Sequence, residues 1–119
     1  MKTPGPDHPI AITRNARHVR VHFAGRVIAD TCRALTLNEA GYPPVQYIPR
    51  EDVDITAFTR TRRHTHCPYK GTASYFTLAV GDRSSENAVW SYEKPFPAVQ
   101  EIAGHLAFYP KRVDAIEED

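Results

Sequence analysis

The chain has 119 residues and a mass of 13.4 kDa, with 41% hydrophobic and 24% charged residues, and is long enough to fold as one domain without disulfide or metal staples. No apolar run reaches the roughly 20 residues of a membrane-spanning helix, the proline-rich start lacks the apolar stretch of a secretory signal, and two cysteines, Cys32 and Cys67, suit a reduced cytoplasmic setting. The net charge of +1 hides a split: residues 1–70 carry eleven Lys/Arg against six Asp/Glu, and residues 71–119 four against eight. That split reads either as a positive face for an anionic ligand or as two halves that pair with each other. A pI near 7.9 argues against a nucleic-acid binder.

Ten prolines leave little room for long helices, since each removes a donor and disrupts a helix interior. Residues 1–9 read as a loose lead, 114–119 as an acidic tail, and 1–119 as a single domain. His18 to Ile28 reads as a hairpin: Val19, Val21 and Phe23 alternate with Arg20 and His22, and Ala24-Gly25 turns the chain. Thr31 to Glu39 fits either a strand or a short helical turn ending at Gly41. Val45 to Ile48 is a short strand after the stiff Tyr42-Pro43-Pro44, and Pro49-Arg50-Glu51-Asp52 a turn or one helical turn led by proline. Thr72 to Val80 is the clearest strand, with Ser74, Phe76, Leu78 and Val80 on one face and Ala73, Tyr75, Thr77 and Ala79 on the other. Ala88 to Tyr92 continues the sheet with Trp90 and Tyr92 on one face. Glu101 to Tyr109 reads as a last strand, and a helical turn is expected around Val113 and Ile116. The count of short strands predicts a mainly β domain of twisted antiparallel sheets with one or two helical turns.

Several segments together resemble the domain of unknown function 427 family. They are Ile28-Ala29-Asp30-Thr31 with Arg33-Ala34, Pro43-Pro44-Val45, Tyr47-Ile48-Pro49-Arg50-Glu51-Asp52-Val53, Cys67-Pro68-Tyr69-Lys70-Gly71, Ala73-Ser74-Tyr75, Trp90-Ser91-Tyr92 and Ala107-Phe108-Tyr109. The resemblance covers nearly the whole chain and implies a small mainly β domain, similar to the β-tent sheets of zinc-binding modules and of methionine sulfoxide reductases of the B type. It implies no activity, although a nucleotidyltransferase label is sometimes attached to the family.

The candidate site centres on His64-Thr65-His66-Cys67-Pro68-Tyr69-Lys70-Gly71. Pro68 and Gly71 predict a tight turn that presents Lys70. With Arg50 and the nearby Arg60, Arg62 and Arg63, Lys70 would seat a phosphate or carboxylate, because a guanidinium can chelate two oxygens. Tyr47, Tyr75, Trp90 and Tyr92 would wall the pocket and stack on a planar ligand. The opposing expectation is that the cations are a solvated loop and the aromatics core. The ligand-binding set is therefore Arg50, His66, Cys67, Lys70, Ser74, Tyr75, Trp90 and Tyr92. Were the protein an enzyme, Cys67, Lys70 or Tyr92 would be the acid, base or nucleophile; Cys67 equally suits a small buried hydrophobe.

No cofactor is expected. On a strand, His64 and His66 share a face and Cys67 takes the other, so the three cannot easily meet one ion, and paired C-x₂-C units are absent. Zinc is not carried over from the similar modules. Asp52-Val53-Asp54 alternates as nucleotidyl transfer would need, but no Gly-Ser phosphate turn precedes it, and acidic residues in turns usually cap or are solvated. The leading expectation is a domain that binds a small anionic or polar metabolite in an Arg, Lys and aromatic pocket, with or without catalysis. The alternative is a non-catalytic interaction module or homodimer using an aromatic edge. RNA or single-stranded DNA is a weaker third, and no membrane partner is expected.

Overall fold

A computed structural model describes all 119 residues, Met1–Asp119. Ten strands form three antiparallel sheets. In the first, β1 (Ile10–Asn15) pairs with β4 (Ala34–Glu39), which pairs with β5 (Val45–Tyr47). In the second, β2 (Val19–Phe23) lies between β3 (Arg26–Thr31) and β10 (Ala115–Glu118). The third runs β6 (Phe58–Cys67), β7 (Gly71–Val80), β8 (Arg83–Ser91) and the two-residue β9 (Ala107–Phe108). Short 3₁₀ turns connect them at Arg50–Asp52, Ile55–Ala57, Pro97–Ile102 and Pro110–Arg112. The fold class is the mainly β one that the sequence predicts.

The β2–β3 hairpin turns at Ala24-Gly25, with φ of 52° and 78°. Positive φ at both central residues gives the twist that a two-residue hairpin needs. An alanine there is strained, and its amide is held by Asp114 Oδ2 at 2.7 Å. The ambiguous Thr31 to Glu39 resolves as the end of β3 at Thr31 followed by strand β4, because β1 on one side and β5 on the other take up the backbone groups of Ala34–Glu39.

Two expectations need correction at the C-terminal end. Glu101 to Tyr109 is not one strand. Pro97 opens two short 3₁₀ turns that meet at a kink at Val99, where φ is −125°, and Val99 and Ile102 are the residues they bury. Gly104, at φ 72°, then releases the chain, and only Ala107 and Phe108 pair with β8. Nor is there a helical turn around Val113 and Ile116. The helical turn comes earlier, at Pro110–Arg112, and the acidic end forms β10 against β2. Glu117 meets His22, and Asp119 Oδ2 lies 3.1 Å from Arg20. Residues 1–9, expected as a loose lead, lie against the molecule: the Lys2 amide donates to the Pro68 carbonyl at 2.7 Å, and His8 reaches Glu39.

Part of the charge split pairs the halves: Arg20 meets Glu117 and Asp119, and Arg50 and Arg60 share Glu93. Other pairs stay within one half, such as Arg26 with Asp54, Lys70 with Glu39 and Arg83 with Asp114. The core has two parts, divided by β7. One face supplies Phe76 and Leu78 to a cluster with Val19, Val21, Phe23, Ile28 and Leu106. The other supplies Ala73 and Tyr75 to a cluster with Leu37, Tyr47, Tyr92, Val99 and Ile102. Backbone bonds between Ile48 and Leu106, 2.8 Å in both directions, tie the end of β5 to the third sheet.

Candidate functional site

Beside the second cluster lies a cavity of about 970 Å³ lined by residues of all three sheets. Its aromatic wall follows from strand alternation: Tyr75 on β7 and Trp90 on β8 are register partners and therefore share a face of the sheet. Tyr47 comes from β5 and is 1% exposed; its hydroxyl accepts from Trp90 Nε1 at 3.2 Å, with the two rings edge to face at 6.3 Å. Trp90 also lies 4.5 Å, centroid to centroid, from Tyr109, whose hydroxyl is 3.3 Å from that of Tyr75. Tyr92 completes the wall, and the exposed Tyr42-Pro43-Pro44 segment borders the opening.

The wall turns polar where the β6–β7 turn meets the end of β4. Gly71, at φ 113°, lets the chain reverse after Pro68-Tyr69-Lys70; an added Cβ there would sit 3.6 Å from the Lys94–Phe96 backbone. The Lys70 carbonyl accepts from the Phe96 amide at 3.0 Å, which fixes the turn against the following segment. Lys70 is not presented to solvent as the sequence suggested. It is 8% exposed, and its ammonium is bonded to Glu39. The other Glu39 oxygen takes His8 Nε2 at 2.7 Å, and the His8 ring stacks on Tyr69 at 3.8 Å. Burial pushes the Glu39 carboxyl up, but the hydrogen bonds and charges of Lys70 and His8 outweigh it and hold the group below the ordinary carboxylate range.

Of the residues singled out from sequence, Cys67, Lys70, Tyr75, Trp90 and Tyr92 line this cavity. Arg50, His66 and Ser74 do not. Arg50 donates to the Gly104 carbonyl and to Glu93, both at 3.2 Å, and its guanidinium lies over Phe76. Arg50 and Lys70 therefore do not converge on one anion seat. His66, on the exposed side of β6, meets Thr72 and Phe96. Ser74 serves Glu93. Glu39, His8 and Tyr109 escaped sequence reasoning, and Tyr69 lay in the candidate turn without a role assigned to it. Glu39 was readable only as the end of a strand, because nothing in sequence ties it to Lys70, 31 positions away.

The other chemical candidates have the following surroundings. Burial drives the Tyr92 phenol far above its ordinary range, which suits a wall rather than a base. Lys70 is committed to Glu39, and Cys67 has no imidazole partner, since His66 faces the opposite side. Asp52 accepts from Thr31 at 2.7 Å and pairs with Arg33; Asp54 pairs with Arg26 and caps Thr56. Neither carboxylate lines the cavity.

The family model described as Domain of unknown function (DUF427) matches residues 11–119, almost the whole chain. The chain belongs to the domain of unknown function 427 family. No curated protein matches it. In this family member the two most distinctive blocks do different work. The Cys67-Pro68-Tyr69-Lys70-Gly71 block forms the polar corner of the cavity, whereas Tyr47-Ile48-Pro49-Arg50-Glu51-Asp52 sends Tyr47 into the wall and Arg50 to the surface network around Glu93.

Proposed function

We propose that this domain binds a small, flat, polar metabolite in the cavity between the three sheets. The observation that carries the reading is the aromatic wall of Tyr47, Tyr75, Trp90, Tyr92 and Tyr109 around a cavity that already contains its own neutralised ion pair. A buried pair at a cavity wall costs desolvation that packed apolar residues would avoid. Its retention there suits recognition of one polar group on a ligand, whose apolar remainder stacks on the rings. Because Glu39 neutralises Lys70, the part of the ligand in this corner is uncharged and donates and accepts hydrogen bonds. The volume is in the range of sites for small cofactors and metabolites.

The test is a thermal-shift screen with nucleosides, sugars, small carboxylates, phosphate esters and aldehydes, on the wild type and on Trp90→Leu. A ligand at 100 times its dissociation constant adds about 2.7 kcal/mol, several degrees for a domain of this size. A shift that Trp90→Leu abolishes supports the cavity. A shift that is the same in both proteins contradicts it.

A further inference from the structure

We propose that a second, basic recess beside the cavity holds a phosphate monoester group carried by the ligand whose ring lies against Trp90. This inference rests on the reading of the cavity as a ligand site and names the substrate class that site takes. The recess has a volume of about 740 Å³ and shares Tyr75, Tyr109 and Pro110 with the aromatic cavity. One molecule can therefore touch both across the Tyr75–Tyr109 hydroxyl pair.

Its charge is unlike that of the cavity. Arg63, Lys111 and Arg112 line it, against the single carboxylate of Glu86. Of the cations elsewhere, Arg20, Arg26, Arg33, Arg50, Arg60, Arg83 and Lys70 each hold a carboxylate within 4.0 Å, while Lys2, Arg14, Arg17, Arg62 and Lys94 do not but line neither the recess nor the cavity. None of the three recess cations has such a partner, so they remain available to an anion, and three cations against one carboxylate match the two charges of a phosphate monoester. The geometry also aims them. The Arg63 guanidinium stands 5.0 Å from the centre of the Tyr75 ring, on the partition itself, and Pro110 opens the turn that carries Lys111 and Arg112 next to Tyr109.

The partition supplies a neutral donor. Burial and the Tyr75 hydroxyl push Tyr109 up to about 12, against the pull of Arg63 and Arg112, so its phenol keeps its proton at neutral pH. Thr65 Oγ1 lies 2.9 Å from the Tyr75 hydroxyl, and that hydroxyl 3.3 Å from the Tyr109 one, so the Tyr109 proton is held toward Tyr75 in the free protein and can turn to a phosphate oxygen when the recess is filled.

The test is a ¹H–¹⁵N NMR titration of the full chain with phenol, phenyl phosphate and inorganic phosphate, repeated on Arg63→Gln/Arg112→Gln. Both arginines are exposed, so the variant folds. Phenyl phosphate is expected to bind at least tenfold more tightly than phenol, with shifts at Trp90 and at residues 109–112, and the double variant to lose that advantage while keeping its affinity for phenol. Phenyl phosphate no tighter than phenol, or an advantage that survives the variant, overturns the recess. If phenol and phenyl phosphate both leave the Trp90 indole unmoved while inorganic phosphate shifts residues 109–112 in the wild type only, the recess stands and the cavity reading fails.

Discussion

The two faces of β7 make the same strand do different things. Phe76 and Leu78 face a cluster of Val, Ile, Leu, Ala and Phe whose side chains carry no polar atoms, and only Val19, Val21, Ile48 and Phe108 of it reach the cavity. Tyr75, one position away, faces a cluster that includes Tyr47 and Tyr92, with Trp90 packed against it. Every one of those rings has a polar tip. An aliphatic cluster maximises apolar burial and packing. A tyrosine-rich one places hydroxyls inside the protein at a desolvation cost, which fits a surface selected to meet a ligand. The comparison teaches that burial alone does not mark a core: Tyr47 and Leu78 are equally buried, yet only Tyr47 borders open space.

The sharpest way to break this contrast is to damage the closed side. Leu78→Ala should cost roughly 2–5 kcal/mol by urea unfolding, the range for a buried leucine, while ligand affinity per folded molecule stays unchanged. If affinity collapses with stability retained, the two faces are not separable.

Next in size is the ion pair. Lys70→Met strands the Glu39 carboxylate and should cost about 2 kcal/mol, less than the roughly 3–5 of a fully sealed pair because the cavity admits water. Lys70→Met/Glu39→Leu should recover most of the loss. The pH dependence has a definite sign. Glu39 lies below its ordinary 4.5 in the folded state, so its contribution is present above that pH and is lost as pH falls through the lowered folded value. The stability gap between wild type and Lys70→Met should therefore be widest near neutrality and narrow below pH 4.5. A gap that widens in acid contradicts the assignment.

Smaller effects separate wall from scaffold. Tyr47→Phe removes the acceptor of the Trp90 indole and should cost about 1 kcal/mol, the net worth of such a bond, with a change in Trp90 fluorescence as the direct readout. Arg50→Gln should cost about 1 kcal/mol or less, as half-exposed pairs do, and leave binding in the cavity untouched. Reduced binding by Arg50→Gln would return that residue to the site.

The parts of this arrangement that sequence revealed are those set by local rules. Period-2 alternation located the two faces of β7, and the Ala24-Gly25 turn located the β2–β3 hairpin. Strand parity also put Trp90 and Tyr92 on one face, and both line the cavity. Two kinds of information were out of reach. The first is pairing at long range: Glu39 with Lys70, or Glu93 with Arg50 and Arg60, depends on which sheets pack together and has no local signal. The second is where a short segment bends. Glu101 and Ile102 read as the start of a strand, yet they close the 3₁₀ segment that begins at Pro97, and Gly104 turns the chain before Ala107 and Phe108 pair. The misplacement of Arg50 has the same origin, since Tyr47 and Arg50 are three residues apart but a 3₁₀ turn follows β5 and takes Arg50 away from the cavity.

Crystals soaked with several hundred small flat fragments test the central claim most directly, because fragments find a binding site whatever its natural ligand is. The account predicts that bound fragments gather in the cavity, stacked on Trp90 with a polar atom toward Lys70 and Glu39. Fragments scattered over the surface, with the cavity holding only water, would contradict it.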